Sequence, residues 1–357
     1  MKNFSLTSSL GTLLLMLLIS CTSIAQEKYT TVYETAKTSV KDQQRTGTCW
    51  CFSTISFLES EVLKSQKKSY DFSEMFVVKT AYRQKIENYL LRQGKANFSE
   101  GGQAHDVIYA IKESGLTPQE TFFGNTYGKI HNHKKMVGEL KKELKKTNDK
   151  NIYDDQWGNR FNQILDQYFG EAPKEFKFEG KEYTPKSFFA SLGLDLDNYI
   201  ELTSYSHHPF NTTFVLEIPD NWSNGSYYNV PINRFINIID HALEKGYSIV
   251  WDGDVSEDGF QHKNGVAFLP ENTDVSQEAR QKTFFNKRTT DDHLMHLVGK
   301  ATKDGKAYYI IKNSWNTDSN EYGGYLYMSE DFVRLKTVAI MLNKKALTRT
   351  EKKLLKI

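Results

Sequence analysis

Residue types that define several protein classes are scarce in this chain of 357 residues. It contains 3 cysteines, 7 prolines and 22 glycines, which excludes a scaffold built on disulfides and chains of the collagen-like or low-complexity kind. It has no excess of one charge, because 46 Lys and Arg residues balance 44 Asp and Glu residues. The composition therefore gives no electrostatic reason to expect a nucleic-acid partner. The 39% hydrophobic and 25% charged residues are typical of a globular protein with a buried core.

Long hydrophobic runs are also missing, apart from one short run near the start. Residues 10–19 are largely apolar and follow Lys2, but spanning a bilayer takes about 20 residues. The run therefore predicts a secretory signal over residues 1–25. Two cleavage sites are open: before Cys21, as in a bacterial lipoprotein, or after Ala25. We expect an exported protein of the bacterial cell envelope or periplasm, in which a lipid on Cys21 would be the membrane contact.

Export makes the remaining two cysteines informative. Cys49 and Cys51 are two residues apart, so they point to different sides of a helix or strand and would form only a strained disulfide. A polar turn with Gly47 leads into an amphipathic run that begins at Cys49 and predicts a helix. A helix N-terminus stabilises a thiolate and lowers the pKa of the thiol. Cys49 is thus a candidate nucleophile, the alternative being a small buried core residue.

A cysteine nucleophile needs a base and a group that orients the base. His293 begins an apolar segment, and Asn313 follows twenty residues later at the end of a second one. Both segments and residues 325–328 predict successive antiparallel strands. Asn313 could then accept a hydrogen bond from one ring nitrogen of His293 and leave the other facing the thiolate.

Four segments in this order resemble the signature segments of papain-like cysteine peptidases: Gln43, Gly47-Thr48-Cys49-Trp50, Asp292-His293 and Lys312-Asn313-Ser314-Trp315. The resemblance implies an α+β fold with a helical lobe and a β-rich lobe, and a site between them. It implies that Cys49 is the nucleophile, His293 the base and Asn313 the group that orients it. It further implies that Gln43 donates to the oxyanion, with Gln44 as the neighbouring alternative, and that Trp315 shields the His293–Asn313 hydrogen bond.

Glu100-Gly101-Gly102-Gln103 resembles the corresponding segment of the bleomycin hydrolase and bacterial aminopeptidase C branch of that superfamily. By this resemblance Gly101, Gly102, Gln103 and Trp315 would contact substrate. His293 follows Cys49 by 244 residues, against roughly 130–150 in simple papain-type chains. A helical insertion is therefore expected around residues 125–230 of a peptidase domain that covers residues 26–357.

The resemblance implies an aminopeptidase that removes N-terminal residues from peptides. The alternatives are a papain-like endopeptidase and a non-catalytic, surface-binding lipoprotein. The branch forms hexameric barrels, and its C-terminal arm narrows the cleft, so the Ile357 carboxylate would meet the substrate amine. The basic end of this chain, however, departs from the family's terminal motif.

We expect no cofactor and no metal. His207-His208 is not spaced like a zinc site, and the sequence has no Cys/His quartet. The expected partners are therefore peptide substrates, with no nucleic acid.

Overall fold

The computed structural model describes residues 29–150 and 156–357. The predicted signal segment and Cys21 lie outside these residues. Within them, no helix combines the length and the apolar character that crossing a bilayer requires.

Helices and strands alternate irregularly along the described residues. The α-helices are α1 (Cys49–Gln66), α2 (Glu74–Leu91), α3 (Ala104–Ser114), α4 (Lys134–Asp149), α5 (Trp157–Phe169), α6 (Pro185–Ser191), α7 (Ile232–Glu244), α8 (Gln277–Phe285), α9 (Glu330–Lys336) and α10 (Arg349–Leu355). The β-strands are β1 (Thr30–Glu34), β2 (Phe176–Phe178), β3 (Lys181–Tyr183), β4 (Tyr199–Thr203), β5 (Thr213–Val215), β6 (Ser226–Asn229), β7 (Ile249–Gly253), β8 (Phe260–Gln261), β9 (Val266–Ala267), β10 (His293–Lys303), β11 (Lys306–Lys312), β12 (Tyr325–Ser329) and β13 (Thr337–Asn343).

One large sheet dominates the second half of the chain. Its strands run in the order β5-β6-β4-β13-β7-β10-β11-β12-β9-β8, and β1 also pairs with β10. Strands β10, β11 and β12 are antiparallel neighbours, as their alternating sequence predicts. The structure is thus an α+β fold, in which a helical lobe packs on a β-rich lobe.

Helix α1 lies against one face of this sheet. Its residues are buried from Cys49 to Val62, and Leu294 of β10 and Val250 of β7 belong to the same apolar cluster. Their strand neighbours Met295 and Trp251 belong to the cluster on the opposite face, because successive strand residues alternate sides. The central helix therefore holds Cys49 at the end of the sheet where β10 begins.

The segment predicted as an insertion is of mixed structure. It contains helices α4, α5 and α6 and the hairpin β2–β3, and it also adds β4, β5 and β6 to the large sheet. Helix α4 buries Met136, Leu140 and Leu144, which recur at helical spacing, while its lysines stay at the surface. This basic helix therefore has one apolar face directed into the fold.

Candidate active site

Cys49 is the first residue of α1, and its thiol is almost fully buried. Burial raises the pKa of this thiol to about 12, against a lowering by the backbone N–H groups of Leu294 and Trp50. The carboxylates of Asp291 and Asp252 raise the pKa further. The lowered pKa predicted from the helix N-terminus is therefore wrong for this structure, because desolvation of the thiolate outweighs the helix dipole. Because the backbone N–H of Leu294 acts on the thiol, the sulfur lies beside the start of β10.

His293 and Asn313 meet across two neighbouring strands. The His293 Nε2 atom lies 2.8 Å from the Asn313 Oδ1 atom, and the Trp315 ring stacks on the imidazole with centroids 4.8 Å apart. Burial lowers the pKa of His293 to about 4, although the Asn313 hydrogen bond opposes that shift. With Nε2–H donated to Asn313, the neutral ring keeps Nδ1 as a proton acceptor.

Gln43 is held in a fixed orientation beside the residues that follow Asn313. Its Oε1 atom accepts a hydrogen bond of 2.7 Å from the Ser314 hydroxyl, and its Nε2 atom donates to the Thr46 carbonyl at 2.8 Å. A primary amide has two N–H groups, so one remains for another acceptor. The alternative, Gln44, instead uses its Oε1 atom to accept from the backbone of His131.

The loop with Gly101 and Gly102 is tied to the residues around Cys49. The carboxylate of Glu100 accepts from the Gly47 backbone at 2.7 Å, and its carbonyl accepts from Trp50 Nε1 at 3.0 Å. An added Cβ on Gly102 would lie 3.1 Å from the Trp50 ring, and one on Gly101 would lie 1.7 Å from the Asp220 Oδ2 atom. A side chain at position 101 would therefore displace Asp220, and one at position 102 would press on the Trp50 ring.

Gln103 is buried and does not open onto the cleft. Its Nε2 atom donates to Asp291 Oδ2 at 2.8 Å, and its Oε1 atom accepts from the Tyr227 hydroxyl at 3.1 Å. Asp291 is two residues before His293. The structure thus puts Gln103, which the sequence predicts as a substrate contact, in position to orient Asp291.

Three residues near the site have roles that the sequence did not predict. His262 Nδ1 lies 3.2 Å from Asn313 Nδ2 and can accept from it, but an isolated histidine in a turn gives no sequence signal. Ser314 orients Gln43, as described above. Asp252 is almost fully buried in β7. A carboxylate at the end of an apolar strand pattern is the sequence signal that could have indicated this buried charge.

The C-terminal segment leads away from the site. At the start of β13, Thr337 pairs with Gly253, which pairs with His293. Asn343 ends β13, roughly 20 Å further along at the rise of a strand. There its side chain donates to Glu61 near the other end of α1. No hydrogen bond or ion pair described for residues 344–357 reaches the four predicted catalytic residues.

Helix α10 then packs on the sheet face opposite α1. Leu355 is buried in the apolar cluster that contains Trp251 and Met295, and the Ile357 backbone donates to the Lys352 carbonyl. The predicted contact between the Ile357 carboxylate and the substrate amine is therefore wrong. The reason is the register of β13, which starts level with His293 on the far side of β7 and runs away from that end of the sheet.

Deletion of residues 350–357 should consequently leave substrate preference unchanged. It removes the buried Leu355 side chain, so the free energy of unfolding should fall by about 2–3 kcal/mol. Urea unfolding and the ratio of cleavage of free and N-acetylated substrates would measure the two effects. If the truncated protein cleaved N-acetylated substrates better than the full-length protein does, the hypothesis that the C-terminus narrows the cleft would be supported again.

Among the described residues, one group offers the geometry of a metal site. The ligand atoms of His207, His208 and Glu217 lie within 4.8 Å of one another. Both imidazoles hydrogen-bond the exposed Glu217 carboxylate, at 3.1 and 2.6 Å, and His208 stacks on Phe214. These contacts account for the arrangement without an ion.

The fold thus brings a buried free cysteine at a helix N-terminus, the His293–Asn313 pair and an oriented Gln43 amide to one part of the structure. Residues 68–357 match the model of the Peptidase C1-like family, and the chain belongs to that family. The matched range contains His293 and Asn313 and begins after Cys49.

Similar proteins agree with this assignment. The chain is 26% identical over 395 residues to aminopeptidase E of Lactobacillus helveticus, with 92% of this chain and 86% of the relative covered. It is 24% identical over 376 residues to aminopeptidase C of Listeria monocytogenes, covering 89% of this chain and 82% of the relative. The crystal structure of PepW from Lactobacillus rhamnosis superposes with a TM-score of 0.78 at 18% identity, over 92% of this chain and 84% of that one. The predicted resemblance to papain-like peptidases is confirmed.

Proposed function

We propose that this protein is a cysteine aminopeptidase that removes N-terminal residues from peptides by a Cys49–His293–Asn313 mechanism. The observation that carries the proposal is the His293–Asn313 hydrogen bond at the strand start beside a free cysteine at a helix N-terminus. A nucleophile, a base and a group that orients the base are the parts that acyl transfer through a thioester requires.

Each step of the reaction has a group in this site. The Cys49 thiol gives its proton to His293 Nδ1 while its sulfur attacks the peptide carbonyl carbon. The oxyanion accepts from the second N–H of Gln43 and from the Cys49 backbone N–H, which is one of the unpaired donors of a helix N-terminus. The imidazolium then gives its proton to the leaving amine, and a water molecule, deprotonated by His293, hydrolyses the thioester.

The hydrogen bonds of the site suit these roles. Asn313 fixes the ring so that Nδ1 stays available, and the stacked Trp315 covers the imidazole. Burial favours the neutral thiol and the neutral imidazole, so the proton moves during the attack. All four positions carry chemically competent side chains, which argues against the non-catalytic alternative.

Two observations favour an aminopeptidase over an endopeptidase. The similar proteins described above are aminopeptidases by name, and the chain covers more than four-fifths of each of them. The second observation is the Gly101-Gly102-Gln103 segment, which resembles that of the bleomycin hydrolase and aminopeptidase C branch. Gly102 lies against the ring of Trp50, the residue after the nucleophile.

Purified protein should hydrolyse aminoacyl-coumarin amides with a free amine at least about 10-fold better, in kcat/KM, than their N-acetylated forms, since a charge-assisted contact to the amine is lost on acetylation. Initial rates of coumarin release would measure this ratio. Prior treatment with iodoacetamide is the control and should abolish both rates. Equal cleavage of the blocked forms would support the endopeptidase alternative, and no cleavage of any peptide would support the non-catalytic one.

A further inference from the structure

A pocket of about 680 Å³ lies at the loop that leads into β10. Its wall includes Asp291, which is two residues before His293, and Asp220, whose Oδ2 atom lies against Gly101. Asp252 lies behind Asp291, and both carboxyl groups are near enough to Cys49 to raise the pKa of its thiol. Three carboxyl groups from distant parts of the sequence therefore converge next to the nucleophile.

None of the three forms an ion pair with a described residue. Asp220 Oδ1 accepts from Asn97 and Ser99, each at 2.9 Å, and Asp291 accepts from the neutral amide of Gln103. Both oxygens of Asp252 are buried and have no hydrogen-bond donor in the described part of the chain. Buried carboxyl groups are normally either paired with a cation or kept neutral by a proton, so these three groups are open to a bound cation or to a proton.

Asp252 and Asp291 act as one unit. Their side chains interact directly. Because a carboxylate only accepts hydrogen bonds, the two groups can be joined when one of them keeps its proton and donates it to the other. Burial holds the pKa of Asp252 well above its usual range, and it raises the pKa of Asp291 to about 7. Asp252 therefore keeps its proton more firmly than Asp291, and the first negative charge of the pair forms on the Asp291 side, towards the pocket.

We propose that the Asp291 carboxylate, oriented by Gln103 and hydrogen-bonded through a proton to Asp252, binds the α-ammonium group of the peptide substrate. The inference rests on the proposed aminopeptidase function and supplies the amine-binding group that Ile357 does not provide. One ammonium group neutralises the single negative charge of the Asp252–Asp291 pair. Its N–H groups also donate hydrogen bonds to the carboxyl oxygens that line this wall. The substrate carbonyl then lies on the Cys49 side of the pocket.

A metal ion fits this wall less well than an ammonium group. The three carboxylates are not among the described groups whose ligand atoms lie within 4.8 Å of one another. Lys85 also donates to the Gly101 carbonyl from behind the loop. Burial lowers the pKa of this lysine to about 8, while Asp106 and Asp220 oppose the shift. Asp220 is thus partly compensated, which leaves Asp291 as the carboxylate with an unmatched charge.

The proposal gives substrate binding a characteristic pH dependence. The groups that act on Asp291 are Asp220 in the loop before β6, Asp252 on β7, Gln103 at the start of α3 and the adjacent Asp292. The other titratable residues that line the same pocket are His207, Glu217 and Lys287. Because the pKa of Asp291 is raised to about 7, a falling pH protonates it and removes the charge that binds the amine. The KM for free-amine substrates should therefore rise as the pH falls through 7, and rise again above about 8, where the substrate amine loses its proton.

The test compares Asp291→Asn with the wild type on aminoacyl-coumarin amides and their N-acetylated forms. The asparagine can still accept from Gln103, so folding should be retained. We expect KM for the free-amine substrates to rise about 10-fold or more, with kcat little changed, and the increase of KM below pH 7 to disappear. Cleavage of the acetylated forms should stay the same or increase.

Glu217→Gln is the matched control, because Glu217 is an exposed carboxylate at the same pocket. The KM of this variant should stay at the wild-type value. An increase equal to that of Asp291→Asn would overturn the proposal, because any negative charge at the pocket would then attract the substrate amine equally. An unchanged preference of Asp291→Asn for free amines would also overturn it. So would a loss confined to blocked peptides with Lys or Arg before the scissile residue, which would assign the pocket to a side chain. If the wild type cleaved no free-amine substrate, the proposed function itself would be refuted. The rate of Cys49 alkylation is the control for the nucleophile, and it should not fall in the Asp291→Asn variant.

Discussion

Replacing Cys49 by alanine should lower kcat/KM on free-amine peptides by about 10⁴-fold or more. The change removes the sulfur that forms the thioester, while Gln43 and the backbone donors remain and can stabilise only a slow attack by water. The thiol contributes little to packing beyond its small volume, so the variant should fold. Steady-state rates and mass spectrometry after iodoacetamide treatment would measure the loss of activity and of labelling.

Cys51→Ala is the matched control for this prediction. Cys51 is fully buried two residues later on α1, and its thiol donates to the Glu74 carbonyl at 3.4 Å. The alanine variant should keep most of the activity and the labelling of Cys49. An active, unlabelled Cys49→Ala protein, or an inactive and well-folded Cys51→Ala protein, would contradict the assignment of the nucleophile.

Replacing Lys41 by methionine should lower the free energy of unfolding by about 3–5 kcal/mol. The Lys41 Nζ atom lies 2.9 Å from Glu59 Oε1 and 2.6 Å from Glu74 Oε1, and both carboxylates are buried. It also donates to the Phe72 carbonyl. Methionine would leave two carboxyl groups in a medium of low dielectric constant without a cation, which is the costly way to break a buried ion pair.

The measurement is the urea midpoint and slope, with Lys37→Met as the control. Lys37 pairs with the exposed Glu34 at 2.6 Å, and a surface pair contributes only about 0–1 kcal/mol. Lys41 is two residues before Gln43, so kcat on free-amine substrates should also fall if the shifted segment moves the oxyanion donor. Equal stability losses in the two variants would show that the buried carboxylates are neutralised by protonation and that Lys41 adds nothing.

The identity of the proposed catalytic residues was accessible from the sequence because their signals are local. The apolar runs that begin at Cys49 and His293 have the periods of a helix and a strand, and both elements form where they were predicted. Two successive antiparallel strands bring the ends of their sequences together, and hence the His293–Asn313 contact followed from chain order. The aminopeptidase likeness rested on Gly101-Gly102-Gln103, a short motif whose packing against Asp220 and Trp50 only the structure revealed.

Properties that depend on burial and on strand register were not accessible in this way. The helix N-terminus predicted a low pKa for Cys49, but the desolvation of a thiolate is set by the whole surroundings of the sulfur. The end of the chain was expected in the cleft, yet α10 packs on the sheet face opposite α1. Asp220, Asp252 and Asp291 likewise become one group through contacts between separate strands and loops. Local sequence thus determined which residue types can do the chemistry, and the tertiary structure decided their charges and neighbours, because electrostatic energies depend on distances and solvent exposure that no local pattern encodes.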